Sequence, residues 1–486
     1  MQEKINFAVN YLVQTVGATY YGWGKDDDRI NKQREAVLCD SFERYVYGKD
    51  GDSIDECFCI GDDDLPVIYN GRHYEVMSEA DFRQIIKQAM NRMNVGMVYQ
   101  KNSHKMIVKE CLDGLSSTKR CLFEPDRRYA VFLNCVLDIK TGEMLEFDRK
   151  YKTDLVLDFV YDPEARSGLW DSVIHRTIPD PGMYTAFKQF CGAFLVNRSE
   201  YKIEHLCLLV GTGRNGKSVV TDAISSMFGD ELVSHFSPED LFRSSQASYN
   251  LASINGKLAN ITDDVSNKDF SGGDFKQFTS GAKFSARHPY GRPFVVRRVP
   301  LMMCCVNEVP PTTDDTDGYF RRLLPIMCPA KIADHEVDTE LPNKLSTDEA
   351  KCGIFNWILE GYKSLMDAKG KISVSDSIAG MKELIREDSN SARRWVRYER
   401  FVKVEPLGPN DDNWRSMSEY MEMYKDYCIK HIEPTKTAKS IAKLFGELGF
   451  AREERRSGIW YCIGRADVEF EADRSAIIED EAELPF

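Results

Sequence analysis

The stretch of this chain best suited to chemistry is Gly211-Thr212-Gly213-Arg214-Asn215-Gly216-Lys217-Ser218, followed by Val219. It has the form G-x-x-x-x-G-K-[ST], in which glycines let backbone N–H groups turn inward around phosphate oxygens. A helix starting directly after such a loop adds N–H donors and the positive end of its dipole. At these spacings Lys217 can reach the β- and γ-phosphates of ATP, and the Ser218 hydroxyl can ligand Mg2+. The nucleotide-binding set is therefore Gly211 through Val219. Hydrolysis further requires groups that place the metal and activate water, and Asp263-Asp264 are the candidates. We assign Asp263 to the metal and Asp264 to the base, an order that two adjacent carboxylates could exchange. Asn307 closes a later apolar run, where an amide can hydrogen-bond the γ-phosphate or the attacking water. Arg321-Arg322 precede another such run. They read either as a surface bridge or as an arginine finger that neutralises charge developing in a neighbouring subunit's site.

These residues need a scaffold. Leu206–Val210, Leu258–Ile261 and Leu301–Val306 are strand-like apolar runs separated by helical patterns, which predicts an α/β domain over 205–340. Residues 1–150 mix short strands and helices (Val67–Tyr69, Glu79–Met93) and read as an N-terminal α+β accessory domain. Residues 151–204 read as a helical collar with Trp170, Phe187, Phe190 and Phe194 in its core, and 341–400 as a helical lid or connector. Within 401–465, helix, turn, helix and hairpin follow one another as in a winged helix. Residues 466–486 hold eight acids against one arginine and read as a disordered acidic tail.

With 486 residues, 42% hydrophobic and 29% charged, the chain has the composition of a soluble globular protein of about three domains. No apolar run approaches the ~20 residues of a membrane span, and the N-terminus lacks a secretion signal. The 14 cysteines form no C-x-x-C pair, so they read as reduced buried thiols in a cytosol-like compartment and not as zinc ligands. The acidic triplets Asp26–Asp28 and Asp62–Asp64 read as solvated loops.

A net charge of −13 argues against nucleic-acid binding until the cations are located. Between Asp274 and Glu308 no acid occurs, yet Lys276, Lys283, Arg287, Arg292, Arg297 and Arg298 all fall there. This is an electrostatic footprint suited to phosphate contacts. Its centre, His288-Pro289-Tyr290-Gly291-Arg292-Pro293, reads as a turn between strands Phe284–Arg287 and Phe294–Val296. There Tyr290 can stack on a base or sugar while Arg292 pairs a phosphate. In a second basic group Lys436, Lys439 and Lys443 share a helix face opposite Ile441, Leu444, Phe445 and Leu448. Arg452, Arg455 and Arg456 open the hairpin that follows, and duplex DNA is a candidate partner for this module.

The order of phosphate loop, acidic pair, basic hairpin, strand-end asparagine and arginine resembles the AAA+ core of superfamily 3 helicases. The similarity is strongest to the phage/plasmid primase-helicase family, poxvirus relatives included. Asn134-Cys135-Val136-Leu137-Asp138 with Lys140-Thr141-Gly142, Tyr161-Asp162-Pro163-Glu164-Ala165 through Trp170, and Tyr69-Asn70-Gly71-Arg72-His73-Tyr74 resemble further elements of that family. Cys135 stands where the family has glycine. The resemblance implies an AAA+ P-loop core, a hexameric ring, Arg322 as the finger because it directly precedes the apolar strand, and a hairpin lining a central pore that tracks single-stranded DNA. The pore-lining set would be Lys283, Arg287, Tyr290 and Arg292, with Lys439 and Lys443 facing duplex DNA. No D-x-D plus histidine set marks a primase-polymerase, so priming is not expected.

The expected function is an ATP-dependent DNA helicase of a phage, plasmid or other mobile element, working with Mg2+ in a bacterial cytoplasm. Two alternatives are an AAA+ ATPase that loads or remodels an initiation complex without unwinding, and a nucleotide-dependent origin-binding initiator. The closing Leu484-Pro485-Phe486 after its acidic run resembles the tail tip of bacterial single-stranded-DNA-binding proteins. That makes host replication proteins which read such tips candidate partners.

Overall fold

The structure, a computed structural model, describes residues 2–22, 28–47, 57–61, 64–93, 103–118, 122–198, 200–263, 265, 273–289, 291–309, 316–388, 390–409, 411–431, 433 and 435–466. Asp264, Tyr290 and the acidic tail with its Leu-Pro-Phe end lie outside the described residues, as does most of each acidic triplet. Two compact units are present: Met1–Val309 with Arg321–Ile378, and Pro310–Phe320 with Ala379–Phe486.

The first unit opens with α1 (Gln2–Gly22) and α2 (Asp28–Tyr47). An antiparallel sheet of β1 (Phe58–Ile60), β2 (Pro66–Tyr69) and β3 (Tyr74–Val76) follows, then α3 (Glu79–Arg92) and α4 (Ser103–Ser117). Ser78 caps α3 by accepting from Asp81 N. Phe82, Ile85, Ile86, Ala89 and Met90 recur at helical spacing and are buried in one core shared with α1 and the small sheet.

A second antiparallel sheet contains β4 (Tyr129–Val131), β5 (Val136–Asp138) and β6 (Met144–Leu145). Two of the family-like elements are joined here. Asn134 Nδ2 donates to the Tyr161 carbonyl at 3.0 Å, and Tyr161 N donates to Asn134 Oδ1 at 2.9 Å. Asp138 accepts from the backbone of Lys140 and Thr141 and pairs with Arg128 at 2.6 Å. Asp138 closes a local turn, whereas Asn134 ties together segments 27 residues apart, so loop-like sequence carries a fixed geometry here.

Helices α5 (Gly168–Thr177) and α6 (Pro181–Gly192) follow, capped by Ser167 and Asp180. Trp170, Phe187, Phe190 and Phe194 are buried, as their spacing predicts.

The central sheet is built from β7 (Leu206–Val210), α7 (Lys217–Phe228), β8 (Val233–Ser234), α8 (Pro238–Phe242), α9 (Ala247–Ser253) and β9 (Ala259–Thr262). After these come α10 (Gly273–Thr279), the hairpin β10 (Phe284–Arg287) and β11 (Pro293–Val296), then β12 (Leu301–Val306). The short α11 (Asp317–Phe320) belongs to the second unit, and β13 (Leu323–Met327) returns to the first. All five strands are parallel, in the order β13-β7-β12-β9-β8. Strands β7, β9 and β12 are buried at every residue, the pattern expected of parallel strands covered on both faces. The first unit closes with α12 (Leu341–Leu345) and α13 (Asp348–Asp367). A Cβ on Gly361 would meet the Lys188 carbonyl at 2.1 Å, so glycine is what lets α13 approach α6.

In the second unit α14 (Asp376–Asp388) and α15 (Ser391–Tyr398) precede β14 (Phe401–Lys403) and β15 (Trp414–Ser416). Helices α16 (Met417–His431) and α17 (Ala438–Glu447) and the hairpin β16 (Ala451–Arg455) and β17 (Gly458–Arg465) complete it. β14, β15 and β16 all pair antiparallel with β17. Trp395, Tyr420, Tyr424, Ile441, Phe445 and Tyr461 form its core. Lys436 is not on the α17 face that the sequence suggested. Thr437 is the N-cap, and Lys436 precedes it with its N–H bonded to Tyr424 Oη at 3.2 Å.

Candidate functional site

β7 runs directly into the glycine-rich loop and α7 leaves it. Gly213, Arg214 and Gly216 all have positive φ (91°, 52° and 82°), which curls the backbone into a tight loop. Gly211 is fixed by packing, since a Cβ there would fall 2.1 Å from Asn215 Nδ2 and 2.5 Å from the Cys328 carbonyl. Asn215 Nδ2 donates to that carbonyl at 3.2 Å, tying the loop to the chain after β13. Lys217 is only 6% exposed. Its ammonium donates to the Gly211 carbonyl at 2.5 Å and to Asn215 Oδ1 at 3.1 Å. An ammonium has three donors, and these two bonds hold it inside the loop. Ser218 is exposed on the first turn of α7.

Strand order decides what stands beside the loop. Val306 at the end of β12 lies opposite Val210, and Cys304 lies opposite Thr262 of β9. Gly211, Asn307 and Asp263 therefore follow neighbouring strands at one sheet edge, about 4.8 Å apart per strand. In open α/β sheets this carboxyl edge is where ligands bind.

Sequence reasoning missed the groups that hold Asp263. Thr221, buried one turn beyond Lys217, donates from Oγ1 to Asp263 Oδ1 at 2.8 Å. Burial pushes up the Cys305 thiol on β12, and the nearby Asp263 carboxylate adds to that shift. Burial also raises the Asp222 carboxyl, helped by the charge of Asp263 and opposed by His235. The helical spacing of Thr221 from Lys217 was the available signal, but its partner depends on strand order. Asn260, an unusual residue for a buried strand, is hydrogen-bonded at both ends of its amide. Its Oδ1 accepts from Ser234 Oγ at 2.9 Å and Phe236 N at 3.0 Å, and its Nδ2 donates to the Phe236 carbonyl at 2.7 Å. The donor set at this edge, the Ser218 hydroxyl and the Asp263 carboxylate, suits a hard divalent cation. Among the described residues no cluster of three or more His, Cys, Asp or Glu could hold a metal by itself.

The opposite, amino edge of the sheet carries the arginines. Arg322 directly precedes β13, and its carbonyl accepts from Leu206 N at 2.7 Å, beside the start of β7. Its side chain is 10% exposed and reaches Glu204 at 3.5 Å, whereas Arg321 is 63% exposed and reaches the same carboxylate at 3.1 Å. Burial would raise the Glu204 carboxyl. The Lys202 hydrogen bond and the charges of Arg322, Lys202 and Arg321 outweigh that and hold it below the usual range.

The basic hairpin alternates cleanly. Phe284 and Ala286 are buried, while Lys283, Ser285 and Arg287 are exposed, as are Val295 and Arg297 on the paired strand. Period 2 thus places Lys283, Arg287 and Arg297 on one solvent face, with Arg292 exposed at the turn. The Arg287 guanidinium lies 5.4 Å from the ring centroid of Tyr249 on α9, an aromatic neighbour that the sequence did not reveal. In the second unit Lys439 and Lys443 are exposed on α17, and Lys443 pairs with Glu447 at 3.6 Å. Arg455 is held between Trp414 and Trp460, 5.0 and 4.6 Å from their centroids.

Residues 42–179 match the family described as D5 N terminal like, and residues 209–322 match a family of unknown function, DUF5906. "Putative helicase L207/L206" of Acanthamoeba polyphaga mimivirus is 32% identical over 279 residues, 54% of this chain. These matches support a phage-type primase-helicase family for the chain. The matched segments take in both the small N-terminal sheets and the glycine-rich loop. The chain covers 28% of the length of the mimivirus relative. Two apo structures of the NrS-1 C-terminal region are also similar, at 11% and 12% identity and TM-scores of 0.47 and 0.46. They cover 82% and 84% of this chain and 94% and 96% of their own. Among the described residues no helix is long and apolar enough to cross a membrane.

Proposed function

We propose that this chain is an ATP-driven DNA-unwinding motor, with a superfamily 3 AAA+ core and a winged-helix module, acting in replication of a mobile element as a hexameric ring. The carrying observation is that one parallel sheet presents the phosphate loop with Asp263 and Asn307 at its carboxyl edge and leads, at its amino edge, into a basic hairpin. β12 joins the two directly, and six residues of strand span about 20 Å.

In this reading Gly211 through Val219 wrap the phosphates, and Lys217 exchanges its bonds to Gly211 and Asn215 for phosphate oxygens. Ser218 and Asp263 are the residues to hold Mg2+, whose chemistry when bound is to neutralise charge on the phosphate oxygens. Asn307 orients the attacking water or the γ-phosphate, and Asp264 takes the proton of that water. One arginine of the Arg321-Arg322 pair serves the neighbouring subunit, because the sheet separates both from their own phosphate loop. Lys283, Arg287, Tyr290 and Arg292 track single-stranded DNA, and α17 with Lys439 and Lys443 meets duplex. Strand displacement from a forked duplex, with and without ATP, tests the proposal. ATP turnover with no displacement would favour a loader or remodeller, and absence of both would favour an initiator.

A further inference from the structure

Both feet of the basic hairpin meet at one side chain. Arg198, six residues after α6, donates from Nη2 to the Thr279 carbonyl at 2.5 Å, at the end of α10 where the chain enters the hairpin. From Nη1 it donates to the carbonyls of Val299 at 2.9 Å and Pro300 at 3.2 Å, where the chain leaves the hairpin for β12. Nη2 also donates to the Ile203 carbonyl at 2.9 Å, which anchors the group beside the start of β7. Gly281, with φ of +69°, passes so close that a Cβ would lie 3.0 Å from Arg198 Cζ. Glycine is what admits the guanidinium at this point. A second contact holds the outgoing foot, where Arg298 pairs with Asp154, which Arg127 also faces at 3.6 Å.

The chemistry of this group is unusual for a simple staple. Its four hydrogen bonds all go to neutral carbonyls, so a half-buried guanidinium keeps its full charge there. Burial, reinforced by the charge of Arg127, lowers its pKa to about 10. Apolar packing would join these segments with less desolvation. What arginine adds is a rigid planar fork that fixes several acceptors in one geometry. A two-stranded hairpin needs that, because alone it is marginal in water and takes its direction from its base.

We infer that Arg198 is the positioning residue of the hairpin: a single guanidinium bonded at both feet sets their spacing, and so the direction in which the basic face meets nucleic-acid phosphates. This rests on the reading of the hairpin as the nucleic-acid contact.

The test measures binding of a fluorescent oligothymidylate to the full chain at several salt concentrations, alongside nucleotide binding and thermal unfolding. Arg198→Met should weaken oligothymidylate binding about tenfold, and the salt slope should fall by about 0.7 for every phosphate that no longer meets a cation. Nucleotide affinity should stay within about twofold, because the phosphate loop lies at the other sheet edge. Arg198→Lys, which keeps the charge but not the fork, should fall between the two and serves if the methionine variant does not fold. The double variant Arg287→Ala, Arg292→Ala is the reference. If it loses affinity while both Arg198 variants bind like wild type, the positioning role is wrong and the hairpin reading stands. If the double variant itself binds like wild type, the hairpin reading fails and takes this inference with it.

Discussion

The Thr221 hydroxyl donates to Asp263 Oδ1 at 2.8 Å, linking the helix that follows the phosphate loop to the carboxylate that follows β9. Lys217, Ser218 and Thr221 all lie on the first turns of α7, so this bond references the candidate metal ligand to the same rigid element. Thr221→Val removes the donor but keeps the shape. It should raise the Mg2+ concentration for half-maximal hydrolysis by 10–100-fold, the usual effect of removing an outer-shell partner, and Thr221→Ser should restore it. A metal titration of the valine variant that overlays the wild type would remove Thr221 from the site.

Lys217→Ala should lower ATP turnover by at least about a hundredfold, the scale of losing one preorganised charge-stabilising donor. It also leaves Asn215 Oδ1 and the Gly211 carbonyl without their buried partner, at a cost of about 1–3 kcal/mol. Turnover and a melting curve on the same preparation separate the two effects. Wild-type turnover in a folded variant would overturn the phosphate-loop assignment.

Arg321 and Arg322 should separate into two roles. Arg322→Ala removes a buried partner of Glu204 and should destabilise by about 1–2 kcal/mol, less than a fully orphaned pair because Lys202 and Arg321 remain. Arg321→Ala removes an exposed partner and should cost under about 1 kcal/mol. If the exposed arginine acts in trans, mixing Arg321→Ala with Lys217→Ala should partly restore hydrolysis, since each completes the other's site. Restoration with Arg322→Ala and not with Arg321→Ala would give the trans role to the buried arginine.

The same cluster makes a pH prediction. Because the folded Glu204 carboxyl sits below its unfolded value, its stabilisation is full above about pH 4.3 and is lost as pH falls through the folded value. The melting-temperature gap between wild type and Glu204→Gln should therefore be constant near neutrality and close on acidification. A gap that widens in acid would mean that Glu204 is not held by these cations.

Much of the site is set by local sequence. The glycines of the phosphate loop, the apolar run before it and the helix after it are short-range features, and steric permission for positive φ belongs to glycine wherever it stands. Alternation over 283–287 likewise places the cations on one face of a strand without reference to the rest of the chain. Caps such as Ser78, Ser167 and Asp180 act within three residues. Boundaries drifted by a residue or so, as at β9 and β11, because hydrogen-bond partners on other strands decide where a strand starts. Adjacency is what sequence could not decide. That β12 lies between β7 and β9 makes Asn307 the neighbour of both Gly211 and Asp263, and the same order hands Asp263 to Thr221. Arg198 lies 81 residues from Thr279 and 101 from Val299, so its role as a clamp exists only when the chain closes on itself. Arg321 and Arg322 are equivalent as letters. Only packing around Glu204 buries one and exposes the other, because burial is a property of what surrounds a side chain and not of the side chain itself.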